Sequence, residues 1–179
     1  MNVPVSDGPG MSCVDDLRAL GYEGFFTVSQ LRDEGVDGVP IEPGAWVVLR
    51  EGSSPVPRFL ARSAAAPWRG QDPTQSADAL GSRWVANAYV LYVGIAPGTG
   101  VRHLLQQRIK RFLRFGSGRN VAHWGGRFVW QLAGASALRI AWRVTSAVEA
   151  RQAADETLAA FFDRHGVQPF ANDTEEVEA

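Results

Sequence analysis

A strand followed by an amphipathic helix is the clearest local pattern in this chain of 179 residues. Residues 88–94, with the sequence AYVLYVG, are rich in β-branched and aromatic side chains, which favours a strand. A Pro-Gly-Thr-Gly turn at 97–100 follows, and the apolar residues of 102–114 fill one arc of a helical wheel. Because the apolar side of such a helix has to be buried against another element, the fold is predicted to mix α and β elements around one core.

The same two periodicities predict the remaining elements. Helices are expected at residues 13–20, 27–34, 75–87 and 146–165. Thr27 suits the N-cap of the second helix, because its hydroxyl can accept a hydrogen bond from a first-turn amide. Strands are expected at residues 45–50, 58–62, 127–132 and 138–144, the last two as an antiparallel pair. The strands are therefore joined through helices and loops rather than by a regular β-α-β alternation.

Composition is that of an ordinary globular protein, with 45% hydrophobic and 21% charged residues. Cys13 is the single cysteine, so no intrachain disulfide is possible, which fits a reducing compartment. No run of about 18 apolar residues occurs, and the first 12 residues lack the basic flank and apolar stretch of a signal peptide. The sequence therefore predicts a cytoplasmic protein without a membrane span, and it leaves the oligomeric state open.

The net charge of −1 conceals an uneven distribution along the chain. Residues 1–78 carry a net charge of −5 and residues 149–179 a net charge of −6. The basic segment between them, residues 79–148, carries +10 without one carboxylate. An anionic partner such as nucleic acid would explain this segment, and so would acidic segments that fold back to neutralise it.

One arginine lies on the apolar side of the helix at 102–114. On the wheel Arg108 falls between Leu104 and Phe112. A buried guanidinium is costly without a partner, so Arg108 is expected to reach past the helix edge, to pair with a structural carboxylate, or to face an anion in a cleft.

The last helix offers one carboxylate for such a contact. Asp155 lies at the edge of its predicted apolar face, whereas Glu149 and Glu156 point to solvent. Asp155 is therefore the carboxylate expected to meet Arg108 or a metal ion.

Four short motifs occur in a fixed order along the chain. They are Gly44-Ala45-Trp46, Tyr92-Val93-Gly94, Leu105-Gln106-Gln107-Arg108-Ile109, and Asp155 three residues before Leu158 with Pro169-Phe170-Ala171-Asn172 after the helix. In this order they resemble the motifs of the GIY-YIG nuclease superfamily, which includes the N-terminal nuclease domain of UvrC-type excinucleases. The resemblance covers residues 44–172.

This resemblance implies an α+β fold, with a small and mainly antiparallel sheet of three to five strands flanked by helices. It also implies a metal-dependent endonuclease that hydrolyses phosphodiester bonds in DNA, with RNA as a further substrate, and that uses one Mg²⁺ or Mn²⁺ ion. The domains would be an N-terminal helical extension at 1–43, the GIY-YIG-like domain at 44–172 with an insertion at about 51–87, and an acidic tail at 173–179.

The resemblance further implies a role for particular side chains. Tyr92 would activate the attacking water, Arg108 would stabilise the charged phosphate, and Asp155 would hold the metal. His123 would assist catalysis, although a loop histidine packed beside Trp124 is an equal interpretation. Two residues would support the site, Trp46 and Asn172, and five cations of the basic segment would bind nucleic acid: Lys110, Arg111, Arg114, Arg119 and Arg127.

The chain departs from the family pattern in four ways. Trp46 replaces the first motif tyrosine, and Tyr92 lies 46 positions after it. The gap from Tyr92 to Arg108 is longer than in the family, with residues 97–100 inserted, and the metal carboxylate would be Asp155 rather than a glutamate. These departures keep open a catalytically degenerate module that binds nucleic acid or a protein. An enzyme acting on a small anionic substrate is a third hypothesis.

Overall fold

The computed structural model of the chain describes residues 14–51, 57–121 and 123–173, so Cys13 lies outside it. Four strands form one antiparallel sheet: β1 (Glu23–Thr27), β2 (Gly44–Leu49), β3 (Val90–Ala96) and β4 (Arg139–Val144). Their spatial order is β1-β4-β2-β3. Five α-helices flank the sheet: α1 (Val14–Ala19), α2 (Val28–Asp33), α3 (Ala77–Arg83), α4 (Leu105–Phe115) and α5 (Ala150–His165). The predicted α+β class with a small antiparallel sheet is confirmed.

Strand β2 lies at the centre of the molecule and is buried along its whole length. Its side chains alternate between two hydrophobic clusters, as the two-residue period of a strand requires. Trp46 and Val48 pack with α4 on one face, whereas Ala45 and Val47 pack with α5 on the other. The two long helices therefore cover opposite faces of the sheet.

Local sequence signals fix several boundaries. The Thr27 hydroxyl accepts a hydrogen bond from the backbone amide of Gln30, whose side chain accepts one from the amide of Thr27. This reciprocal pair satisfies two amides at the start of the helix, so the predicted N-cap of α2 is confirmed. At the start of α3 the Ser76 hydroxyl accepts one such hydrogen bond, from the backbone amide of Ala79.

The strand predicted at 127–132 is wrong. Arg127–Gln131 is a 3₁₀-helix that starts after Gly126, whose φ of 69° is left-handed. The last four residues of that helix are all buried, so their side chains do not alternate between two faces as those of a strand would. The strand predicted at 58–62 is reduced to one isolated bridge, between Phe59 and Leu132.

Strand β1 lies in a part of the chain for which only helices were predicted. It pairs with β4 and so adds residues 23–27 to the sheet. Its register shifts between Gly24 and Phe26, and Phe25 has a φ of 58°. This irregularity breaks the period-two pattern by which a strand is recognised.

Candidate functional site

The α4 face of the sheet carries a cluster of aromatic rings that includes three predicted site residues. Trp46 of β2 meets Tyr92 of β3 edge to face at 5.2 Å between ring centroids. Phe112 of α4 stacks on Tyr92 at 6.2 Å and meets His123 at 5.3 Å. The fold therefore brings Tyr92, Trp46 and His123 together, although they are spread over 78 positions of the chain.

His123 is a neutral side chain inside this cluster. It is 7% exposed, and burial together with the positive charges of Arg108 and Arg111 lowers its pKa to about 3. Its Nδ1 lies 2.9 Å from the carbonyl oxygen of Gly125, which can only accept, so Nδ1 carries the proton. At neutral pH His123 therefore contributes hydrogen bonding and packing but no positive charge.

Arg108 lies beside the cluster and is half-buried. Its Nε donates a hydrogen bond of 3.1 Å to the carbonyl oxygen of Ile95, at the end of β3. Across the described ranges no carboxylate forms an ion pair with it. Of the three expectations for Arg108, pairing with a structural carboxylate is therefore not observed.

Asn172 holds the strand that carries Tyr92. Its side-chain oxygen accepts from the amide of Val93 and its nitrogen donates to the carbonyl of Val93, both at 2.9 Å. The backbone amide of Ala171 also donates to the carbonyl oxygen of Leu91. The predicted Pro169–Asn172 motif thus lies along the outer strand of the sheet, next to the aromatic cluster.

Asp155 is not part of this site. It is exposed on α5, and α5 covers the face of the sheet opposite to α4. The prediction that Asp155 faces inward toward Arg108 is wrong. The buried polar residue of α5 is Thr157, which shares a hydrogen bond of 2.8 Å with the Tyr22 hydroxyl, so the buried face lies further round the helix than the wheel placed it.

The residues present do not fit the single Mg²⁺ or Mn²⁺ site that the family resemblance implies. The only carboxylate assigned to it, Asp155, lies on the wrong face of the sheet. In the part of the chain that the structure describes, no three His, Cys, Asp or Glu side chains lie close enough together to hold a metal ion. These described side chains therefore offer no hydrolytic step that uses a metal ion.

The cations predicted to bind nucleic acid divide into two groups. Lys110, Arg111, Arg114 and Arg119 lie on α4 and in the loop after it. Arg127 is elsewhere, because its Nη2 forms a 2.8 Å ion pair with Asp173 and its guanidinium lies over the ring of Phe128. Arg127 thus serves to hold the C-terminal segment in place.

Two grooves border α4. The larger, of about 740 Å³, is lined by Lys110, Arg114 and Arg119 together with Arg32 and the carboxylate of Asp37. The smaller, of about 330 Å³, is lined by Arg111 and Arg114 together with five residues not predicted as site residues: Trp68, Arg102, Gln107, Asn120 and Val121.

Nothing in the sequence marks Trp68, because it lies in a Pro/Ser/Ala-rich stretch without periodicity. In the sequence, the one signal that indicates the smaller groove is the absence of acidic residues near Arg102 and Asn120.

No helix among the described residues is long and apolar enough to cross a membrane. Comparison with family models, with curated proteins and with solved structures finds no match for this chain.

Proposed function

We propose that this chain binds nucleic acid through the phosphate groups, on the surface formed by α4 and its flanking loops. Ten cations occur in the basic segment at 79–148. Four of them form ion pairs with carboxylates outside the segment: Arg83, Arg127, Arg139 and Arg143. The other six all lie between residues 102 and 119, and within the described ranges none forms an ion pair with a carboxylate: Arg102, Arg108, Lys110, Arg111, Arg114 and Arg119.

This basic cluster, as the six residues are called below, carries the proposal. Carboxylates of the acidic segments pair with the other four cations of the basic segment, but among the described residues none pairs with the cluster. The positive charges of the cluster also repel one another. Burial, and then the charges of Arg108 and Arg102, lower the pKa of Arg111. A bound polyanion would relieve this repulsion and release its own counterions.

The extent of the basic cluster favours a polyanion over a small anion. Its residues span all of α4, which is about 16 Å long at 1.5 Å per residue. A nucleic-acid strand presents phosphates in series along such a distance, whereas a single phosphate would meet only two or three of these side chains. A module that binds nucleic acid is thus better supported than an enzyme acting on a small anionic substrate.

A metal-dependent endonuclease acting on DNA is a second candidate. The convergence of Tyr92 and His123 beside Arg108 favours it, because these are the side chains to which the family resemblance assigns proton transfer and charge stabilisation. The placement of Asp155 speaks against it.

The binding proposal is tested by the salt dependence of affinity. Fluorescence anisotropy of a labelled oligonucleotide would be measured between about 50 and 200 mM NaCl. We expect Arg114→Gln to weaken binding and to reduce the slope of log K against log salt by about 0.7–0.9, the effect of one lost phosphate contact. Arg164→Gln, an exposed arginine at the end of α5, makes the same change in net charge and should leave the slope unaltered.

Equal effects of these two variants, or no binding at low salt, would contradict the proposal.

The endonuclease candidate is tested on supercoiled plasmid with Mg²⁺ or Mn²⁺. Nicking by the parent that is lost in Arg108→Ala would establish it, and an intact plasmid would leave the chain a binding module.

A further inference from the structure

The predicted insertion places a tryptophan against α4. Trp68 and Gln71 exchange backbone hydrogen bonds, each 2.9 Å long, across a two-residue turn. Arg69 and Gly70 at its centre both have left-handed φ, of 50° and 79°. This is the geometry of a type I′ turn, which joins its two flanking residues tightly and so fixes the position of Trp68.

The half-buried indole of Trp68 forms one wall of the smaller groove, and five polar side chains and Val121 also line it. Arg102, Arg111 and Arg114 supply three positive charges, and Gln107 and Asn120 supply amide groups. Among the described residues no carboxylate lines this groove, whereas Asp37 lines the larger one. The smaller groove therefore combines an aromatic surface, guanidinium groups and amides, which are the three kinds of group that a nucleotide engages.

One of the arginines is held in place by the protein itself. Arg111 Nη2 donates a hydrogen bond of 2.7 Å to the carbonyl oxygen of Arg102. The Nε of Arg111 is buried and has no hydrogen-bond partner among the described residues. An anionic oxygen bound here would meet a guanidinium group, that of Arg111, which is already ordered, and this lowers the entropy lost on binding.

We propose that the smaller groove binds an unpaired nucleotide, with its base stacked on Trp68 and its phosphates on the arginines, and that the chain therefore prefers single-stranded nucleic acid to duplex. The inference rests on the proposed function, because it names the form of nucleic acid that the basic cluster binds. In a duplex the base faces are already stacked on one another, so only an unpaired base can stack on the indole. The guanidinium of Arg69 lies over the Trp68 ring, 5.6 Å from its centroid, and adds positive charge beside it.

The test compares three labelled probes by fluorescence anisotropy. They are a single strand of about 12 nucleotides, the duplex of the same sequence, and a single strand with abasic positions that keeps every phosphate. We expect the parent protein to bind the single strand more tightly than the duplex. The abasic strand should bind roughly 5- to 100-fold more weakly, as expected for the loss of one stacked base.

Trp68→Ala should reduce the affinity for the intact strand to that for the abasic strand, and Trp68→Phe should keep most of the difference. Phe162→Ala, which removes a half-exposed aromatic from α5, is the matched control and should bind like the parent. Because the probe comparison on the parent needs no variant, it decides the inference even if Trp68→Ala fails to fold.

The outcomes separate the two proposals. A parent that binds all three probes equally, and loses affinity in Arg114→Gln, would overturn the role of Trp68 and keep nucleic-acid binding. A parent that prefers the duplex would overturn the inference in the same way. A parent that binds none of the probes would overturn the proposed function itself.

Discussion

His123 is the residue whose chemistry the fold changes most. Free histidine titrates near pH 6.5, but burial among Trp46 and Phe112, at 5.8 and 5.3 Å, disfavours its charged form. The nearby guanidinium of Arg108 acts in the same direction. Any role of His123 at neutral pH is therefore that of a neutral hydrogen-bonding group.

This lowered pKa makes folding depend on pH. Between pH 6.5 and about 3 the unfolded chain binds a proton at His123 and the folded chain does not, so the free energy of unfolding falls as the pH falls. We expect His123 to account for a loss of about 2 kcal/mol between pH 6.5 and 5. His123→Phe, which keeps an aromatic ring, should flatten this slope in urea unfolding followed by circular dichroism.

His103→Gln is the control for that experiment. His103 is half-buried and its pKa is also lowered, by partial burial first and then by Arg108, but it lies outside the aromatic cluster. The variant should keep most of the parent's slope. A parent-like slope in His123→Phe would show instead that the buried imidazole titrates normally.

At the scale of secondary-structure elements, the motif glycines allow β2 to lie close to both of its neighbours, β3 at Gly94 and β4 at Gly44. Gly94 pairs with Trp46 across the two strands, and a Cβ at position 94 would lie 2.4 Å from the indole. At Gly44 a Cβ would lie 2.1 Å from the carbonyl oxygen of Arg143. The glycines of both motifs therefore have a packing reason that needs no catalytic role.

Gly94→Ala is accordingly expected to lower the free energy of unfolding by about 1–3 kcal/mol, because the ring of Trp46 would have to move within a packed core. The matched control is Gly81→Ala in α3, where a Cβ meets nothing within 4 Å and a gain of about 0.5–1 kcal/mol is expected. Urea midpoints measure both changes. Equal midpoints for the two variants would refute the packing role of Gly94.

The elements that the sequence predicted well are those whose signals are local. The cap at Thr27, the strand at 88–94 and the helix at 102–114 depend on side chains within one or two turns or on a short alternation. Strand β1 was missed because its pairing with β4 depends on a distant partner and tolerates a left-handed Phe25. In α5 a wheel drawn from apolar residues gave no sign of Thr157, whose burial depends on the hydroxyl of Tyr22.

The candidate site was predicted in part for the same reason. Tyr92 and Arg108 follow from short motifs on adjacent elements, and the fold does place both on the α4 face. Asp155 required knowing which face of the sheet α5 covers, and Trp68 required knowing where the insertion folds back. Both positions depend on the tertiary structure, and no pattern in the local sequence indicates them.

At the scale of the whole molecule, the charges are distributed so that the positive side chains of the basic cluster repel one another. The acidic parts of the chain pair with four arginines of the basic segment, whereas among the described residues no carboxylate forms an ion pair with the basic cluster. Lys110 and Arg114 are four positions apart on α4, where like charges destabilise a helix by about 0.2–0.5 kcal/mol. The positive charges on this surface therefore favour the binding of a polyanion but lower the stability of the folded protein.

We expect the double substitution of Lys110 and Arg114 by glutamine to raise the free energy of unfolding by a few tenths of a kcal/mol at about 10 mM NaCl. The gain should shrink at about 1 M NaCl, where the Debye length is about 3 Å. The same variant should bind the oligonucleotide more weakly. Arg164→Gln removes a cation from the last turn of α5, where it is favourable, and should destabilise slightly. A double variant less stable than the parent at low salt would contradict this account.

Strand β3 is the outer strand of the sheet on one side, and outer strands offer free backbone groups to which a strand of another molecule can add. Here Ala171 bonds to Leu91 and the amide of Asn172 bonds to both polar groups of Val93, so the chain occupies its own edge. The Pro169–Asn172 segment thus also blocks the addition of a strand from another molecule, which protects the protein against aggregation. A chain that ends before Pro169 would lack these hydrogen bonds and would expose the middle of β3 as a template for strand addition.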